Sequence, residues 1–192
     1  TNADLIALCG AASQRGIRVL LDGVFSHTGA DSRYFNKYGR YPGIGAFQEM
    51  KGLGHSPYLS WYSFHCKGDD LFYDSWWGFT DLPNVSEHDL SFRHFITGPD
   101  GVLCTWLRRG VSGFRLDVSD ELPDDFLRDI RRAVRAEKPD AAILGEVWED
   151  ASHKISYDQY RDFLFGRTHD TIMGYPFQKA LLDWLGHRAT TG

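Results

Sequence analysis

The apolar positions of this chain alternate between a helical rhythm and short unbroken runs. Thr1-Asn-Ala-Asp4 supplies a cap, Leu5, Ile6, Leu8, Ala11 and Ala12 a helical stripe, and Gly16 a stop. Ile17-Arg-Val-Leu-Leu-Asp22 follows at once, a short apolar run ending in an acid, which is the pattern of a buried parallel strand. The pairing returns downstream, where a helical segment from Val102 to Arg109 stops at Gly110 and a strand runs from Val111 to Val118. Pro123, the acids Asp124 and Asp125, and the stripe Phe126, Leu127, Ile130 and Val134 predict another helix, and Ala141 to Val147 another strand. A fourth strand, Asp170-Thr-Ile-Met-Gly174, precedes a helix from Phe177 to Leu185.

From about Thr28 to His88 the rhythm breaks into a loop-rich stretch that holds half of the aromatic side chains, among them Tyr34, Phe47, Trp61, Tyr62, Trp76 and Trp77. It reads as a subdomain, 28–88, inserted between the alternating segments 1–27 and 89–192. The alternation itself places the chain in the α/β class, with a parallel sheet covered by helices on at least one face. A closed (β/α)8 barrel takes about 250 residues and eight such units. Four units therefore mean part of a barrel or a smaller open sheet.

Composition narrows the partners more than the fold. The 192 residues are 42% hydrophobic, enough for a sizeable core, and the net charge of -5 gives no electrostatic reason to expect nucleic acid or an anionic membrane. A neutral substrate fits. No apolar run reaches the roughly 20 residues that span a bilayer. Cys9, Cys66 and Cys104 are odd in number and lack metal-ligand spacing, so buried free thiols in a reducing, cytoplasmic compartment are expected. Because the chain opens on Thr1, a segment ahead of it and secretion both stay open, as does oligomerisation.

The candidate chemistry sits at strand ends. On Gly113-Phe-Arg-Leu-Asp117-Val the side chains alternate, so Gly113, Arg115 and Asp117 share one face and Phe114, Leu116 and Val118 the other. Arg115 beside Asp117 favours the ionised carboxylate that a nucleophile needs, although an Arg-Asp pair that only satisfies itself in the core would read the same. Glu146 ends the run before Val147 and Trp148, an apolar setting that should raise its pKa and suit a general acid; an ordinary exposed strand-end Glu is the alternative. Asp22-Gly-Val-Phe-Ser-His27 puts an acid and a histidine after the first strand, where both could bond sugar hydroxyls. Most rings of the insertion should be core, with Tyr34, Trp76 and Trp77 as candidates for stacking on sugars and Trp148 as a further contact.

Together, Asp22 to His27, Gly113-Phe-Arg-Leu-Asp117 and Gly145-Glu-Val-Trp148 resemble the first three signature regions of the α-amylase family of glycoside hydrolases, and Val118-Ser-Asp-Glu121 its neopullulanase and cyclomaltodextrinase subgroup. The resemblance implies a partial (β/α)8 barrel, strands three to six, with 28–88 as domain B. It implies Asp117 as nucleophile, Glu146 as acid then base of a retaining mechanism, Arg115 orienting Asp117, His27 on the sugar at the cleavage point, Asp22 bracing the site, and Asp120 and Glu121 shaping the acceptor side. The two carboxyl groups should then lie about 5 to 5.5 Å apart.

The substrate implied is an α-glucan or maltooligosaccharide, with no required cofactor. Calcium is held in many members by an Asn where this chain has Ser26. His169-Asp170-Thr171 copies the letters of the family's fourth region, but only one helix and one strand fit between Glu146 and Asp170, so Asp170 is read as the start of a strand rather than the third acid. On this reading the isolated chain is inactive or nearly so. A non-catalytic barrel of the same fold and a glucan-binding fragment are the rival readings, and retention of Asp117, Glu146 and Arg115 argues against the first.

Overall fold

A computed structural model describes residues 1–156 and 158–186; the end of the 89–192 segment lies outside the described residues. The chain divides into two compact units, Thr1–Gly23 with Leu103–Gly192, and Val24–Val102. The second takes in all of 28–88 and reaches beyond it at both ends.

The first unit is built on four parallel strands in the order β1 (Leu21–Gly23), β4 (Gly113–Leu116), β5 (Ala142–Gly145), β8 (Thr171–Ile172). Each runs beside the next, with Asp22 opposite Arg115, Leu116 opposite Gly145 and Gly145 opposite Ile172. The strands are shorter than their apolar runs. The Ile17 to Asp22 run enters the sheet only at Leu21, although the Val19 carbonyl already accepts from the Ser112 N–H.

Helix α5 (Asp124–Glu137) follows the sequence stripe closely, burying Phe126, Leu127, Ile130 and Val134 with Asp124 and Asp125 in its first turn. Full burial of such side chains is worth about 2 kcal/mol each. Helix α1 (Asn2–Ser13) has the expected Thr1 cap, but its buried positions are Cys9 and Ala12. Ile6 and Leu8 are exposed, so the stripe read over residues 5–12 does not mark the packed face. Helix α4 (Val102–Arg108) buries Leu103, Cys104 and Leu107, whereas α6 (Tyr175–Leu185) buries no residue.

Gly113 is required where β4 meets β5. Its φ is +150°, and a Cβ there would fall 2.0 Å from the Ala142 carbonyl oxygen. In the second unit, α2 (Ala46–Met50), the antiparallel pair β2 (Phe64–Lys67) and β3 (Asp70–Tyr73), and α3 (Leu90–Thr97) enclose an aromatic core. Phe35 stands at its centre, in ring contact with Phe47, Tyr62, Phe64 and Tyr73. All three cysteines are free; Cys9 and Cys104 are buried, but Cys66 is exposed on β2, which corrects the expectation of three buried thiols. No described helix is long and apolar enough to cross a membrane.

Candidate active site

Parallel pairing brings three acids to the C-terminal ends of neighbouring strands. Asp22 lies on β1, Asp117 one residue past β4 and Glu146 one residue past β5. Arg115, directly opposite Asp22 in the register, joins all three. One terminal nitrogen reaches Asp22 Oδ1 at 2.6 Å and Asp117 Oδ1 at 2.5 Å; the other reaches Glu146 Oε1 at 2.7 Å. The Arg115, Asp117 and Glu146 side chains are largely shielded, whereas Asp22 is more than half exposed. Burial disfavours the guanidinium charge, but the bonds to Asp22 and Asp117 and the charge of Glu146 outweigh it and hold the Arg115 pKa above its ordinary value.

The backbone after Asp117 is bent to serve Glu146. Val118 has φ +42°, a left-handed conformation that costs a β-branched residue strain, and its N–H donates to Glu146 Oε2 at 2.9 Å. The Ser119 hydroxyl, fully buried, donates to the Glu146 carbonyl oxygen at 3.0 Å. Gly145 explains the residue before the acid, because a Cβ there would meet His169 Cδ2 at 2.6 Å and Ser119 Oγ at 2.9 Å. The Tyr175 hydroxyl, at the start of α6, donates to Glu146 Oε1 at 3.0 Å.

These partners correct the expected electrostatics of Glu146. Burial does push its carboxyl up, but the Val118 N–H, Trp148, the Tyr175 hydroxyl and the Arg115 charge outweigh burial and hold it below its ordinary value. The apolar run around it hid four polar partners.

The remaining candidates divide between the two units. Asp120 is paired with Lys154 at 2.6 Å, and Glu121 closes the turn that follows β4, its N–H bonded to the Val118 carbonyl. Trp148 is 40% exposed and lines an open cavity of about 620 Å³ with Tyr175, Gln178 and Asp183. His27 belongs to the second unit, where its ring stacks on Trp76 at 5.5 Å and its Nδ1 lies 2.9 Å from Ser26 Oγ. Trp76 stacks in turn on Trp77, which is 63% exposed at a left-handed φ of +48°. Tyr34 packs against Tyr58, Trp61 and Phe95.

Asp170 is occupied elsewhere. Its Oδ1 pairs with Arg131 at 2.8 Å and with Arg135, and its Oδ2 accepts the Ile143 N–H at 2.8 Å. At the position associated with calcium, Ser26 Oγ is engaged with His27, and no group of three His, Cys, Asp or Glu that could hold a metal occurs among the described residues. Sequence reading missed Tyr175 and Lys154; only Tyr175 carried a usable signal, a hydroxyl-bearing ring just past a strand end.

Residues 1–191 match the family model described as alpha amylase, catalytic domain. An amylopullulanase of Thermoanaerobacterium saccharolyticum is 36% identical over 200 residues, which cover 96% of this chain and 15% of that protein. A cyclomaltodextrinase of a Bacillus species is 34% identical over 200 residues, covering 96% of this chain and 29% of its own length. Among solved structures, Ttha1563 from Thermus thermophilus superposes with a TM-score of 0.74 at 34% identity, over 95% of this chain and 35% of that one. The chain thus spans a minor part of the relatives it matches.

Proposed function

The chain belongs to the alpha-amylase catalytic-domain family, and from this we propose that it is the central part of the catalytic domain of a retaining enzyme that hydrolyses α-glucans. In this reading the four parallel strands are strands three to six of a (β/α)8 barrel and 28–88 is its domain B. The substrate class is maltooligosaccharides and longer α-1,4-linked glucans, with α-1,6 bonds and cyclodextrins as alternatives, and neither nucleic acid nor membrane is a partner. Three free thiols fit the cytoplasm. The observation that carries the reading is Arg115, whose one guanidinium holds the carboxylates of two adjacent strand ends as neighbours.

Each half-reaction uses that arrangement. Asp117, oriented by its ion pair with Arg115, attacks the anomeric carbon while Glu146 donates a proton to the departing glycosidic oxygen. Glu146 is held below its ordinary pKa at rest, so bound substrate must first raise it, by excluding water and weakening its contact with Arg115, and Glu146 takes up a proton from solvent before passing it to the glycosidic oxygen. Once Asp117 is esterified its charge is gone. Arg115 is then left to Asp22 and Glu146, which favours the ionised Glu146 needed as base for the incoming water. Asp22 keeps the guanidinium in place.

The test is the anomer first released by the full-length enzyme from maltotriose, read by proton NMR before mutarotation. The α-anomer is expected, and the β-anomer would overturn the mechanism. The isolated 192 residues are expected to be inactive or nearly so, because Asp170 is committed to Arg131 and Arg135 and cannot act as a third acid.

A further inference from the structure

One buried hydroxyl that the reaction does not use ties the proposed acid to the backbone around the proposed nucleophile. Ser119 is fully buried, and the Glu146 carbonyl oxygen accepts from it twice, from its hydroxyl at 3.0 Å and from its N–H at 3.2 Å. The Glu146 N–H donates to the Leu116 carbonyl oxygen at 3.0 Å, and Glu146 Oε2 accepts the Val118 N–H at 2.9 Å. Glu146 is thus held at its N–H, its carbonyl and its side chain by Leu116, Ser119 and Val118, which bracket Asp117.

Asp117 belongs to the same staple. The N–H that reaches Glu146 Oε2 is part of the peptide group joining Asp117 to Val118, and the Asp117 N–H is itself fixed to the Gly23 carbonyl oxygen of β1 at 3.1 Å. From behind, the acid's strand is backed by a ring. The connection from β5 to β8, which carries the short antiparallel pair β6 (Ile155–Ser156) and β7 (Gln159–Tyr160), brings the buried His169 against Gly145, where a Cβ would meet its Nε2 at 2.7 Å. The left-handed φ of +42° at Val118 is a strained conformation that its surroundings must enforce, and the two bonds from Ser119, the next residue, do so. A neutral buried hydrogen bond adds little to stability once desolvation is counted. What this one fixes is position.

We propose that Ser119 is a positioning residue for the proton donor: by holding the Glu146 carbonyl it keeps the Val118 N–H on Oε2, and so sets which oxygen of the acid carries the proton and where that oxygen stands relative to Asp117. This rests on the functional reading above, in which Glu146 is the acid. An N–H donates and cannot accept, so a proton on Oε2 would face it hydrogen to hydrogen. The proton therefore belongs on Oε1, the oxygen that Arg115 and the Tyr175 hydroxyl bond at rest. As the bond from the anomeric carbon to the glycosidic oxygen breaks, its electron pair goes to that oxygen, the Oε1 proton follows, and the carbon bonds to Asp117. Displacing Oε1 from that line slows proton transfer while leaving the binding of sugar unchanged.

The experiment measures kcat and KM of the full-length enzyme on maltotriose and on an aryl maltoside whose leaving group departs without a proton, together with the pH profile of kcat/KM. The proteins are wild type, Ser119→Ala, Glu146→Gln and the Ser119→Ala/Glu146→Gln double variant. Ser119→Ala should lower kcat/KM on maltotriose about tenfold, through kcat rather than KM, and much less on the aryl substrate. The alkaline limb should move to higher pH as Oε2 loses its donor. In the Glu146→Gln background the same substitution should cost nothing further on maltotriose. If Ser119→Ala does not fold, as read by thermal unfolding, Ser119→Cys, of nearly the same size and a weak donor, is read in its place. An equal loss on both substrates, an unmoved pH profile or additive single losses overturns the staple while leaving the enzyme reading intact. A wild-type enzyme that cleaves neither substrate removes the reading and the staple with it.

Discussion

The Tyr175 hydroxyl donates to Oε1 of Glu146 across 3.0 Å. Its bond favours the ionised carboxyl, and burial together with that bond holds the phenol itself above its ordinary pKa. Tyr175→Phe removes the donor and keeps the ring. The Glu146 pKa should then rise, and the alkaline limb of the kcat/KM profile, which reports the free enzyme's acid, should move to higher pH. A profile that does not move would show that Tyr175 is packing only.

Glu146 and Asp117 should fail in different ways. Glu146→Gln loses proton donation, so kcat/KM on maltooligosaccharides should drop by about 100-fold to 10,000-fold, with much of the loss absent on an aryl glycoside whose leaving group departs without a proton. Asp117→Asn lacks the nucleophile and should be equally impaired on both substrates. Identical patterns for the two variants would exchange or cancel the assigned roles.

Arg115 is the group whose loss should be worst tolerated outside the two acids. Three carboxylates converge on it, and Arg115→Met would leave them to repel one another. Lys at this position supplies one charged point for a fork that spans three partners, so Arg115→Lys should recover little activity. The measurement is kcat/KM alongside thermal unfolding, and near-wild-type activity in Arg115→Lys would mean that the bridging geometry is dispensable.

Much of this arrangement was legible in the chain, and the parts that were not share a cause. Strand ends, the α5 stripe and the Arg115-Asp117 pair follow from period and spacing within a few residues, which is what a linear sequence encodes directly. The same reasoning identified Asp170 as a strand-start residue, and its pairing with two arginines of α5 agrees. The ionisation of Glu146 did not follow, because its donors come from Val118, Tyr175 and Arg115, up to 31 positions away in the chain, and Val118 serves only through a left-handed turn. Lys154 stood in a stretch without periodicity. Apolar neighbours in sequence are a poor guide to a carboxylate whose polar neighbours are assembled by the sheet.

Asp170 should matter to stability and not to chemistry. Removing its charge leaves Arg131 and Arg135 facing each other and the Ile143 N–H with a weaker acceptor. Asp170→Asn should lower stability by about 1–3 kcal/mol, visible as a reduced Tm, while kcat measured below the transition stays within about twofold. A collapse of kcat in a fully folded Asp170→Asn variant would reinstate it as a catalytic acid.

His169 makes a prediction about pH that depends on sign. It is 1% exposed with its Nε2 unpartnered and its Nδ1 3.1 Å from Thr168 Oγ1; burial, aided by the Arg161 charge, lowers its pKa from 6.5 to about 4. The unfolded chain binds a proton more readily than the folded one between those values. Its contribution is therefore complete above about pH 6.5 and is lost as pH falls toward 4, a difference of up to about 3 kcal/mol. Asp170 and Glu146, both held below their ordinary values, add losses only at lower pH, as each carboxylate approaches protonation. Urea midpoints between pH 7.5 and 4.5, in steps of about half a unit, should fall for wild type, and the fall should flatten in His169→Gln, which cannot take up the proton. An equal slope in both proteins would mean that His169 is not the group that couples folding to protons in this range.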